Sequence, residues 1–200
     1  GGAAAPRRGA AADESLGDFA RGAASRGSWL VGLLAAQSLS SLVLERNADV
    51  IQRHPVIVFF LTMLVGAGGN AGNQAAVRII RGLAVGAVVP GENGLSFVAR
   101  EAKMAVVLAV ALAAVGFLRV SAFSEGTVAE AGAITVALFL IVALSVVLGA
   151  ALPIALEKAG LGASNAATSI QVVMDVSGVL ITCAVCAALL EGGALGGLAT

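Results

Sequence analysis

An all-α integral membrane protein with five transmembrane helices is the fold class this sequence predicts, on three observations. Of 200 residues, 58% are hydrophobic and 12% charged, where soluble domains carry about 25% charged residues. Mean hydropathy is +0.97. Five long apolar stretches alternate with short polar ones, and a helix needs about 20 residues to cross a bilayer.

Residues 1–27 are rich in Gly, Ala and Arg, with Pro6 and the acids Asp13, Glu14 and Asp18. They are too poor in apolar residues to build a core, so they predict a mostly flexible cytoplasmic tail, with at most an amphipathic turn around Leu16–Phe19. Three acids within it argue against an organellar transit peptide, which is acid-poor. The chain begins at Gly1 rather than Met, as a fragment or a processed form would.

The apolar part is expected over 28–190. Span 1 runs from Ser28 to Leu44, with Trp29 as an interface anchor. Span 2 begins at Pro55, a favoured first-turn position, and is free of charge through Val77. Span 3 covers Ala102 to Leu118, with Lys103 and Arg119 placed to snorkel at its ends. Span 4 covers Ala131 to Leu156, with a kink expected at Pro153. Span 5 covers Ser164 to Leu190, and 191–200 form a short C-terminal tail. An N-terminus in the cytoplasm leaves nine Lys and Arg inside and three (Arg46, Arg53, Arg119) outside. That imbalance predicts N-in, C-out. No internal repeat is visible, so an inverted-repeat plan would need a second copy of the chain. Either the plasma membrane or an organellar inner membrane suits this composition.

Net charge is zero, with seven Phe, one Trp and no Tyr. A nucleic-acid surface needs a basic patch, so no nucleic-acid partner is expected. Cys183 and Cys186 form a CxxC inside span 5, remote in sequence from the one histidine, His54. They read as small packing residues rather than a redox or zinc element. No organic cofactor is expected.

Asp175 is the only charge between Ala159 and Leu190. A carboxylate at the centre of a membrane helix costs about 2.5–3.5 kcal/mol on insertion scales, and such residues face a protein interior or a water-filled path. Helical spacing places Ser164, Thr168, Gln171, Gly178 and Thr182 beside it, as a polar or small stripe against an apolar remainder. The plainer alternative is polar glue between helices, for which an amide would serve as well.

Span 2 holds a second polar constellation, Gly66-Ala67-Gly68-Gly69-Asn70-Ala71-Gly72-Asn73-Gln74. Thr62, Gly66, Asn70, Asn73 and Val77 share one helical face. Glycines admit a close backbone or a hydrated ion, and they weaken the helix, freeing carbonyls where it unwinds. Packing through Gly68 and Gly72 is the plainer account, but it leaves Asn70, Asn73 and Gln74 in need of partners.

The run GGNAGNQ, followed by Arg78 and Arg81-Gly82-Leu83, resembles the signature of the MgtE family of magnesium channels and transporters. Met174-Asp175-Val176-Ser177-Gly178-Val179-Leu180-Ile181 is similar to that family's last-helix motif. The resemblance implies a homodimer of five-helix subunits in membrane lipid, with one pore on the dimer axis lined by the second and fifth helices. By similarity Asp175 maps onto the carboxylate that holds hydrated Mg²⁺, the transported ion, and Asn70 and Asn73 onto pore-lining asparagines. Thr62, Gly66, Gly69, Gln74, Thr168, Gln171, Gly178 and Thr182 complete the expected pore lining. Two features depart from the family. The cytoplasmic helical domain and CBS modules have no counterpart here, so the sensing gate built on them is not carried over. The approach to the last helix lacks the family's Asp-Pro.

Mg²⁺ is hard and sheds water reluctantly, so it commonly keeps several waters and uses one or two carboxylates. Two Asp175 carboxylates, with amides and hydroxyls around the water shell, suit it. Soft metals would select thiolate or imidazole. Proton-coupled carriage of another divalent ion stays open, as do channel versus carrier and uptake versus export. A non-transporting scaffold is the reading from another class. An intramembrane hydrolase is disfavoured, because His54 lies at a span end and Asp175 has no nearby acid. No enzymatic activity is expected.

Overall fold

The computed structural model describes residues 16–123 and 126–192, and every regular element among them is helical. The chain divides into two compact units, Gly1–Ala36 and Gln37–Thr200. Residues 1–15 of the expected tail, and 193–200 of the C-terminal one, lie outside the described residues.

Helix α1 (Leu16–Gln37) occupies the first unit and ends one residue into the second. It begins well before Ser28, where the sequence placed only a turn. The segment Leu16–Arg26 has no proline and is built largely from Ala, Leu and Arg, the better helix formers. Asp18 in the first turn suits the helix dipole, and it pairs with Arg21 at 2.6 Å.

The second unit contains α2 (Leu39–Arg46), α3 (Ala48–Arg53), α4 (Val56–Ala84), α5 (Gly94–Phe123), α6 (Val128–Lys158) and α7 (Ala166–Cys186). A π turn, Ala187–Glu191, prolongs α7. Among the described residues, five helical stretches are long and apolar enough to cross a membrane: Leu16–Arg46, Val56–Ala84, Gly94–Ala122, Val128–Lys158 and Ala166–Glu191. They correspond one to one with the five expected spans.

Helix α6 is the axis of the second unit, packed by α4, α5 and α7. It is apolar all round, as a helix enclosed by others should be. Ile134, Ile141, Val142 and Val146 from α6 meet Leu64 of α4 and Ile170 and Met174 of α7 in the main core. The α4–α6 crossing is set by small residues. A Cβ on Gly149 would strike the backbone of Gly72, and one on Gly72 would strike Ser145 and Ile170. The Ser145 hydroxyl donates to the Gly68 carbonyl. Helix α4 is therefore continuous through GGNAGNQ. The local unwinding that the glycines would permit does not occur, because α6 supports the glycine face.

Turns then fix where α7 starts. The N–H of Gly160 donates to Glu157 and that of Leu161 to Leu156, at 3.1 and 3.0 Å. That pairing is a Schellman stop, and Gly160 adopts the left-handed φ of 71° that it requires. The Glu157 carboxylate accepts from the Ala163 N–H at 3.2 Å, and a 3-10 turn, Ala163–Asn165, leads into α7. Ser164 thus precedes α7 rather than lying on its polar face.

Ion pairs tie the helix ends together. Thr127 and Glu130 form a capping box at the start of α6, and Glu130 also meets His54 at 2.8 Å. Arg53 reaches Glu191 at 2.5 Å. Cys183 and Cys186 are free and buried, Cys186 against Val50, Ile57 and Ala133. That is the packing role expected of them. At the other end of α4, Arg78 meets Glu101 of α5 at 3.1 Å.

Candidate functional site

Asp175 lies mid-way along α7, partly buried, and both of its carboxylate oxygens are engaged. Gln171, one turn earlier, donates its amide to Oδ1 at 2.9 Å. Gln37 donates its amide to Oδ2. An ionised carboxylate is purely an acceptor, so two amide donors suit it. Gly69 makes the first of these contacts possible. A Cβ there would collide with the Gln171 amide, so only glycine lets that side chain lie against α4.

Asp175 and Gln171 open onto a cleft of about 360 Å³, walled by Thr62, Val65 and Gly66 of α4 and by Gln37, Ser40 and Leu44 of the first span. Gly66 differs from the neighbouring glycines. A side chain there would meet no atom within 4 Å, whereas Gly68, Gly69 and Gly72 are each occupied by a neighbour. Packing within this chain explains three of the four glycines and leaves Gly66 facing open space.

Asn70, Asn73 and Gln74 line a second cleft with Val77, Arg78 and Arg81, about 760 Å³ in volume. Among the described residues, the buried Oδ1 of Asn73 has no hydrogen-bond partner, an arrangement that ordinarily calls for a water or an ion. All five residues expected to share one face of span 2 line one cleft or the other: Thr62 and Gly66 the first, Asn70, Asn73 and Val77 the second. That polar face is therefore real, and Gly68 and Gly72 sit off it, against α6. The structure groups Asp175 with Thr62, Gly66 and Gln171, and groups the two asparagines with Gln74 and the arginines.

Four expected lining residues are not in the walls of either cleft. Gly69 is buried behind the Gln171 amide. Thr182 is fully buried and returns its hydroxyl to the Gly178 carbonyl at 2.7 Å. Gly178 is buried against Val65. Thr168 is exposed and donates to the Asn165 carbonyl at 3.1 Å. Two polar residues of the first cleft, Gln37 and Ser40, were not singled out in the sequence. A signal existed for Gln37, which is the only amide in span 1.

Among the described residues, no three His, Cys, Asp or Glu side chains gather as a metal-binding group. The first cleft instead offers one carboxylate, two amides and two hydroxyl-bearing residues. Donor and acceptor groups of that kind address a cation's bound water rather than the bare ion. Six waters at roughly 30 Å³ each fit within the cleft volume.

Comparison with known proteins follows the same residues. The profile of the MgtE family, described as divalent cation transporters, matches residues 61–185. The magnesium transporter MgtE of Thermus thermophilus is 30% identical over 165 residues. That stretch covers 82% of this chain and 36% of the Thermus protein, so the chain spans little more than a third of that relative.

Proposed function

We propose, from the premise that this chain belongs to the MgtE family, that it carries hydrated Mg²⁺ across a membrane between two copies of itself. The single observation that supports this most is the pairing of Asp175 with the open face at Gly66. A carboxylate placed mid-helix at a cost in insertion energy opens onto a cleft that no described side chain fills. Thr62, Gly66, Gln171 and Asp175 would contact the ion's water shell. Asn70 and Asn73 would receive it further along the same face of α4.

One carboxylate compensates a divalent charge poorly where the dielectric is low. A two-fold axis beside the cleft brings a second Asp175, and two-fold dimers are the commonest homo-oligomers. In the N-in orientation α4 runs from outside to inside, so the Asp175 cleft lies nearer the outer side and the Asn70–Asn73 cleft nearer the cytoplasm.

The test is Mg²⁺ flux into proteoliposomes. Asp175→Asn keeps the side chain's size and removes its charge. The expected result is flux at least tenfold below wild type, with an unchanged elution profile and melting temperature. Wild-type flux in the variant would overturn the assignment, and loss of folding would favour the scaffold. An imposed membrane potential and an imposed pH gradient, applied separately, distinguish a conductive path from a proton-coupled one.

A further inference from the structure

Gln37 stands where the first span is interrupted. Ser38 separates α1 from α2. The hydroxyl of Ser40 donates to the Gln37 carbonyl at 2.8 Å, and that of Ser41 donates to the Ser38 carbonyl at 2.6 Å. Serines that bond back to nearby carbonyls compete with the helix ladder and bend or break it. Here they also satisfy carbonyls at the interruption, which a membrane interior otherwise penalises. The sequence Gln37-Ser38-Leu39-Ser40-Ser41 therefore builds a supported break, and the break presents an amide to a carboxylate 138 residues away.

We infer that Gln37 is a positioning residue of the Asp175 site, holding the carboxylate so that its remaining acceptor positions face the cleft. The inference rests on reading that cleft as an ion site. A carboxylate has about four acceptor positions. Gln171 occupies one on Oδ1 and Gln37 one on Oδ2. Rotation of an aspartate about its last torsion is broad and nearly two-fold, so a single donor leaves the plane free to swing. Two donors on opposite oxygens, one from the same helix and one from another, fix the plane and leave two positions for the ion's waters. Gln37 and Ser40 line the same cleft as Asp175, so the first span is part of the site rather than a bystander to helices 2 and 5. The plain alternative is that Gln37 merely glues the first span to α7.

Three variants of the full chain in liposomes separate these. Gln37→Leu should raise the KM for Mg²⁺ about fivefold while the maximal rate stays within twofold of wild type. The reversed pair, Gln37→Glu with Asp175→Asn, keeps an amide facing a carboxylate but exchanges their helices. It should carry Mg²⁺ at least tenfold faster than Asp175→Asn alone. Melting temperatures without Mg²⁺ report folding for each. If Gln37→Leu lowers only the melting temperature, with KM unmoved, the residue is glue and the inference is overturned. A folded reversed pair that is no better than Asp175→Asn overturns it as well. Should the reversed pair fail to fold, the KM of Gln37→Leu decides alone. If wild type carries no Mg²⁺, or Asp175→Asn matches it, the ion-site reading falls and takes this inference with it. A normal wild type with an inactive Asp175→Asn leaves that reading standing whatever the Gln37 variants do.

Discussion

Gly66 and Gly69 lie three residues apart on α4 and act in opposite ways. Gly69 admits a side chain of its own chain, the Gln171 amide, whereas among the described residues nothing comes within 4 Å of a side chain at Gly66. A comparable asymmetry governs the pair at the far end of α4. Glu101 is only 3% exposed, while its partner Arg78 is 58% exposed. Arg78→Met would leave a buried carboxylate without its donor, at a cost of about 1.5–3 kcal/mol. Glu101→Gln should cost less, because an amide needs no counter-charge. The double variant should regain much of the loss suffered by Arg78→Met. Thermal unfolding in detergent reads all three, and negligible losses for both single changes would show that the pair does not matter to folding. Asp175 was legible in the sequence because no other charge interrupts its span. Gln37 was not singled out, because its meaning comes from a contact with no periodic signature along the chain.

At the scale of an element, α4 is a helix with two working faces. Gly68 and Gly72 serve contact with α6, and Thr62, Gly66, Asn70, Asn73 and Val77 line the clefts. The small-residue packing that the sequence offered therefore occupies one side of the helix, and its polar residues lie on another. Gly149→Val tests the packing side. Its side chain has nowhere to go but the Gly72 backbone, and overpacking costs about 1–3 kcal/mol. Gly66→Ala tests the other side. It should leave stability unchanged or raise it, since alanine favours helix by about 1 kcal/mol, while lowering Mg²⁺ flux. A large drop in melting temperature for Gly66→Ala would mean that the cleft is closed by packing. Hydropathy made the five spans readable, because length and apolar content suffice for that. It misjudged one local feature, the helical start at Leu16, where propensity outweighs a polar composition; it left open whether the glycines unwind α4, and support from α6 outweighs their weakness.

The whole molecule raises the question of what meets the open face. A second copy related by a two-fold axis would bring two Asp175 carboxylates and two Gly66 faces together without any new sequence. Thr62 is exposed and lines the first cleft, so Thr62→Cys in a Cys183→Ala, Cys186→Ala background should crosslink efficiently to its counterpart in membranes, and Mg²⁺ should change the yield. Protein that stays monomeric in mild detergent, resists crosslinking in bilayers and still transports Mg²⁺ would show that the path lies within one subunit. Nothing in one chain's sequence reveals such an axis. What the sequence does carry is one carboxylate in the middle of an apolar span, a charge that an axis would double.

The order of the helices along the chain has a consequence for biogenesis. Gln37, Gln171 and the α4 wall of the cleft all precede Asp175 in sequence. The ribosome has therefore made each of them before the aspartate emerges. Helix α7, which carries the residue least welcome in lipid, is the last of the five spans to reach the membrane. It arrives where α4 and α6 already provide a packing surface and where amides await its carboxylate, so the growing chain never has to leave that charge facing hydrocarbon while its partners are still being translated.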